Sequence, residues 1–338
     1  MSAAAVRRAR RVPQRRLALV VGGAAAALVA AFLLRVLGGD YTITFPDFLR
    51  ILAGEQIPGA TFILTESKLP RAALGLLVGV AFGVAGAIFQ GTLRNPLASP
   101  DVLGVSMGAS AAAVFGIVVL DVSGTALSLA SITGAVTVAA AIRFAAGPSS
   151  GHRLVLVGIT AAAALVAVVQ YLFTRADQYD AQLALRWLTG SLNAADWATI
   201  RALATCLAVL LPVVALAARA QRVLELGPDV ASALGAHRSA PDVLLLVAVL
   251  LTALGVAAAG PVAFVAFAAG PVARSLNGGR ATLAGAALAG AVVVVLADHL
   301  AAYAVPDVNL PVGVVTGALG APFLLWLLAS GRAGRSSA

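Results

Sequence analysis

Long apolar runs, broken by short polar stretches, organise this chain. They fall at 17–37, 69–90, 99–120, 125–145, 153–173, 198–218, 241–259, 261–276, 281–302 and 311–329. A helix rises about 1.5 Å per residue, so roughly 20 apolar residues cross a hydrocarbon core of about 30 Å. The pattern predicts an all-α polytopic membrane protein with about ten transmembrane helices. Its shortest breaks are residues 121–124 and Gly260-Pro261, each of which has to reverse or interrupt the chain. Three polar stretches are longer. Residues 40–67 and 174–197 each have room for a short helix at a membrane interface. Residues 219–240 read as two short helices, with Pro228 suited to a helix start and Gly235 to a stop.

Composition supports this reading. The chain is 61% hydrophobic and 11% charged, with a mean hydropathy of +0.99, where an ordinary soluble domain has about a quarter charged residues. The formal net charge of +9 does not make a nucleic-acid footprint, because the basic residues lie in short clusters between apolar spans. They report topology instead. An even number of spans places both termini on one side, and most of the arginines fall in segments on that side, which the positive-inside rule assigns to the cytoplasm. Residues 1–16 form a basic cytoplasmic arm, 17–329 a single transmembrane domain and 330–338 a cytoplasmic tail. The run at 17–37 is too long for the h-region of a signal peptide, about 7–15 residues, and reads as the first span.

Candidate chemistry is sparse. Cys206 is the lone cysteine, within an apolar run, and reads as a buried thiol. His152, His237 and His299 have no metal-ligand spacing. A Walker A motif cannot be written, because the single lysine, Lys68, is followed by Leu69. Nor do the spans hold the buried acids expected of an ion-coupled carrier. Asp298, near the outer end of the ninth span, reads as a capping or packing residue. A pore without its own motor, catalytic residues, metal or cofactor suits a subunit that borrows ATP hydrolysis, although an ion-coupled secondary transporter working alone is the rival class. Gly75, Gly79 and Gly83 recur four apart, so on a helix they share a face that admits a close neighbour. In 219–240, Leu226-Gly227, Ala231 and Leu234-Gly235 recur at helical intervals. On periodicity alone they suit an amphipathic surface turn as well as a docking element.

Residues 68–110, KLPRAALGLLVGVAFGVAGAIFQGTLRNPLASPDVLGVSMGAS, closely resemble the signature of the FecCD family, the permeases of ABC importers for iron–siderophore complexes and cobalamin. AAGPVAFVAFAAGPVAR (258–274), LADHLAAY (296–303) and LPVGVVTGALGAPFLLWLL (310–328) follow the family in order. The resemblance implies a type II ABC importer permease in a bacterial inner (plasma) membrane. Its expected partners are two ATPase subunits, which use ATP and Mg²⁺, an extracytoplasmic substrate-binding protein and a second permease copy or paralogue. Ferric siderophores are the expected cargo, with cobalamin or haem as alternatives. It also implies that Leu226, Gly227, Ala231, Leu234 and Gly235 seat on the ATPase, and that Lys68 and Arg71, at the family's R-L-P-R positions, receive acidic residues of the binding protein. Two positions depart from relatives. Gly270-Pro271 stands where many have Pro-His, and Ala302 where some have a rim arginine.

Overall fold

The computed structural model describes residues 3–147, 151–235, 237 and 239–329; the C-terminal tail at 330–338 lies outside them. The chain forms α1 (Ala3–Leu37), α2 (Phe45–Leu52) and α3 (Ala60–Phe62), which runs through a π-helical turn (Ile63–Lys68) into α4 (Leu69–Thr92). There follow α5 (Val105–Val118), α6 (Gly124–Ala146), α7 (Gly151–Phe173), α8 (Gln178–Leu188), α9 (Trp197–Leu224) and α10 (Pro228–Ala233). The last four are α11 (Ala240–Ala259), α12 (Val265–Leu276), α13 (Leu283–Tyr303) and α14 (Val312–Ala329). No strand occurs among the described residues.

Among the described residues, seven helical stretches are long and apolar enough to cross a membrane: Gln14–Leu37, Ala60–Thr92, Gly124–Ala146, Gly151–Phe173, Trp197–Ala218, Ala240–Ala259 and Leu283–Tyr303. The other three predicted spans are shorter apolar helices. α5 has 14 residues and α12 has 12, or about 21 and 18 Å of rise. Both start later than composition suggests, and the cause is local. Pro96, Pro100 and a left-handed Gly104 (φ 76°) fold residues 93–104 into turns. Before α12, Gly260 (φ 71°) and Phe264 (φ 65°) keep 260–264 irregular. Irregular backbone at membrane depth must find its hydrogen bonds inside the protein. The second segment is accordingly wedged against 187–191 and α14, where a Cβ on Gly190 or Gly313 would meet the Pro261 carbonyl; beside it Ser191 N donates to Ala259 O (2.8 Å) and Gly313 N to Gly190 O (3.1 Å). The first two longer polar stretches hold short helices as expected, α2 in the first and α8 in the second; the third holds one short helix, α10, and not two, because α9 runs on through Leu224. Cys206, expected to be buried, is half-exposed on α9, whose lipid-length surface leaves it outside the core.

α4 is the axis of the bundle. Of its most apolar stretch 72% is buried, against 6% for α1, and it packs along α13, α11, α12 and α9. Lipid tails are as apolar as leucine, so helices in a membrane associate through close packing and polar contacts. The glycine stripe provides the closeness. A methyl group on Gly79 would lie 2.5 Å from Ala291 Cα, one on Gly83 would meet the Ala286 carbonyl, and one on Gly75 would lie 3.1 Å from Leu192 Cδ1. Gly86 extends the stripe against the Ala266 carbonyl of α12. At Gly79, Gly83 and Gly86 the neighbours are backbone and cannot swing aside; at Gly75 they are side chains. We expect Gly79→Ala to lower the thermal unfolding midpoint of the detergent-solubilised protein by the equivalent of about 1–3 kcal/mol, the usual range for overpacking. Gly22→Ala, whose site on α1 is open, should leave the midpoint unchanged within about 0.5 kcal/mol.

Candidate functional site

At the α8 end of the bundle a buried ionic cluster joins three helices. Asp298 of α13 is 1% exposed and lies between two arginines. Arg35 of α1 donates through Nε to its Oδ2 (2.5 Å), and Arg71 of α4 through Nη2 to its Oδ1 (2.7 Å). Arg35 is itself buried and lies over the Tyr303 ring, 5.5 Å from its centroid. Arg71 Nη2 also reaches Asn309 Oδ1 at 3.5 Å, while its Nε finds no protein acceptor. Lys68 Nζ donates to the carbonyls of Gly38 (2.6 Å) and Tyr41 (2.5 Å), closing the turn after α1. That turn depends on Gly39 (φ 102°), where any side chain would run into Tyr303.

Lys68 and Arg71, predicted as outward-facing docking charges, are therefore turned into the protein, at 4% and 8% exposure. Asp298 does a packing task, at the centre of a three-helix clamp. Sequence reading missed Arg35. The one available signal was the isolated acid near the end of an apolar span, since such a group needs a cation nearby. That cation is 263 residues away in sequence, so no local pattern could name it.

At the opposite end, α9 runs past the membrane-length segment into a short element containing α10. Its mount is specific: Gln221 Nε2 donates to Ala87 O of α4 (3.0 Å), and a Cβ on Gly227 would lie 3.4 Å from Arg94 Nη1 of the loop after α4. Four of the five predicted coupling residues divide into two groups, and the fifth, Gly235, is exposed in the turn after α10. Gly227 and Ala231 face inward, Ala231 at 2% exposure, and fix the element to the bundle. Leu226 and Leu234 are about three-fifths exposed, and Val230 between them is also exposed. Gly227 (φ 107°) and Gly235 (φ 80°) permit the turns at either end of α10. The result is a short apolar ridge of three exposed side chains, Leu226 before α10, Val230 within it and Leu234 after it, carried at the end of α9. Nearby, burial pushes the Glu225 carboxyl above the usual carboxylate range, while Arg274 and Arg222 pull it down. At the other end of α9, Asp196 caps the helix, and the Thr199 amide and hydroxyl hold its carboxyl below that range. On α12, Gly270 packs directly on Gln90, whose Nε2 donates to Phe267 O (3.0 Å). No cluster of three metal-ligating side chains occurs among the described residues.

A helical bundle of membrane-crossing length, built round a glycine-lined helix and extended by an apolar ridge at one end, defines a polytopic membrane protein. Comparison with known proteins narrows the class. Residues 27–330 match the FecCD transport family. The chain is 37% identical to the ferric enterobactin transport system permease protein FepG of Escherichia coli (strain K12), over 93% of this chain and 96% of that one. It is 38% identical to the Fe(3+) dicitrate transport system permease protein FecD of the same organism, over 79% and 85%. It is 32% identical to the vitamin B12 import system permease protein BtuC of Citrobacter koseri (strain ATCC BAA-895 / CDC 4225-83 / SGSC4696), over 84% and 90%. Among solved structures, an inward-facing transporter described as of the metal-chelate ABC type superposes with a TM-score of 0.79 at 25% identity, covering 92% of this chain and 99% of the other. The chain belongs to the FecCD transport family. It is the permease subunit of an ABC transporter and not an enzyme.

Proposed function

We propose that this protein carries ferric-siderophore complexes across a bacterial inner (plasma) membrane, as the permease of an ATP-driven importer. The observation that carries the reading is the exposed Leu226–Val230–Leu234 ridge at the end of α9, in a chain that lacks a phosphate-binding loop of its own. A surface of this kind suits a partner that supplies force. The α10 end faces the cytoplasm and seats on an ABC ATPase subunit, where ATP and Mg²⁺ act; this chain holds no cofactor. The α8 end faces outward and receives an extracytoplasmic binding protein. There Lys68 and Arg71 shape the docking surface from within, by bracing α1, α4 and α13, and their charge is spent on internal partners. A second permease, a copy or a paralogue, completes the path at the subunit interface. Iron complexes are favoured over cobalamin by the names of relatives: those named for enterobactin and dicitrate iron share 37–38% identity and those named for vitamin B12 share 32%, with one named for Fe(3+)-citrate at 30%.

The test is co-purification of the tagged chain from its native membrane, with mass spectrometry of what accompanies it. An ABC ATPase at stoichiometric yield is expected. A chain that emerges alone and moves solute in vesicles along an ion gradient without ATP would overturn the proposal in favour of a secondary transporter.

A further inference from the structure

A basic cleft of ≈ 650 Å³ opens at the α10 end, between α1 and the ends of α4, α9 and α12. Arg94, Arg222, Arg274 and Arg280 line it, with Glu225 as the one acid. None of the four arginines forms an ion pair with a described residue, so the cleft holds three unbalanced positive charges. It is continuous with an apolar groove of ≈ 420 Å³ that runs toward the membrane centre; Leu17, Arg222, Glu225 and Ala281 border both. The groove is walled by Val84 of α4, Leu211, Val214 and Ala215 of α9, and Leu283 and Ala287 of α13. From Leu211 to Arg222 the helix rises about 16 Å, comparable to much of an acyl chain.

We propose that cleft and groove together form a site for one anionic glycerophospholipid of the adjacent leaflet. Its phosphate lies among the four arginines and one acyl chain fills the groove between α4, α9 and α13. Charge complementarity selects this occupant. A zwitterionic headgroup would bring its own cation into an arginine-rich cleft, and a free anion would leave the apolar arm unused. Basic pockets at the inner ends of membrane helices bind anionic headgroups on the same principle. Since Arg94 also approaches Gly227, the bound phosphate would touch the support of the α10 ridge. The site stands independently of which solute the permease carries.

The test uses the purified chain, with whatever subunits accompany it, in nanodiscs of equal phosphatidylglycerol and phosphatidylcholine, followed by native mass spectrometry of the lipid retained in detergent. Phosphatidylglycerol should be retained in clear preference. Arg274→Gln with Arg280→Gln should cut that preference at about fivefold per arginine, roughly 25-fold for the pair. Ala215→Trp, at an exposed position on the groove wall, should abolish retention while all four arginines remain. Equal retention of the two lipids, or a preference untouched by the double arginine variant, would overturn the proposal. So would a preference that survives Ala215→Trp and is displaced by inorganic phosphate, which would mark a simple anion site or a seat for a partner's acidic side chain.

Discussion

Asp298→Asn is expected to be the most damaging single substitution in the chain for stability. Asparagine keeps the shape of aspartate and removes the one charge that balances Arg35 and Arg71, all of them buried. Breaking a buried pair by deleting one partner costs about 3–5 kcal/mol, because the abandoned charge stays in a low-dielectric site. Here two guanidinium groups are abandoned together, so the loss should lie at the top of that range and show as a collapse in folded yield and in the thermal unfolding midpoint. Arg35→Gln and Arg71→Gln should each cost less, since either leaves one arginine still matched to Asp298. Combining Arg35→Gln with Asp298→Asn should recover part of the loss of Asp298→Asn alone, the signature of coupled neighbours. Equal and additive effects of the three substitutions would show that the cluster is not an ion-paired clamp.

Leu226→Asp and Leu234→Asp should give the largest functional losses with the least structural cost. Both side chains are about three-fifths exposed, so a carboxylate there is already solvated and the permease should fold and unfold as before. At an interface, central apolar anchors of this kind commonly contribute 2 kcal/mol or more, so either substitution should weaken ATPase association by about 30-fold. Pull-down of the ATPase subunit and ATP-driven uptake would both fall. Ala231→Asp makes the contrast: at 2% exposure it puts a charge into the mount, and the unfolding midpoint should drop along with activity. Undiminished ATPase capture by Leu226→Asp and Leu234→Asp would remove the ridge from the coupling path.

What the sequence made legible follows from which forces act locally. The long spans could be read from hydropathy, because a lipid-facing helix is apolar all round and its ends are set by polar or turn residues. The boundaries of α6, α7, α11 and α13 fall within two residues of the expected ones. α5 and α12 came out shorter, because residues 99–104 and 261–264 are apolar enough to pass for helix while proline and left-handed backbone hold them in turns. The glycine spacing at 75, 79 and 83 announced a close contact but not its partner, α13, which lies some 200 residues away. The charge cluster was the least legible part. Lys68 and Arg71 sit in a motif whose resemblance suggests outward display, and only the approach of α1 and α13 shows that carbonyls and Asp298 take up their hydrogen bonds. At the α10 end, periodicity picked out five positions without distinguishing Gly227 and Ala231, which pack inward, from Leu226, Leu234 and Gly235, which are exposed.

The most direct test of the account is reconstitution of the chain, with the ATPase and binding protein that co-purify, into proteoliposomes, measuring uptake of an iron-labelled ferric siderophore. Uptake should require both ATP and the binding protein, should be lost on Leu234→Asp, and should resist competition by excess cobalamin. Uptake that proceeds without ATP on an ion gradient, and that Leu234→Asp leaves intact, would contradict it.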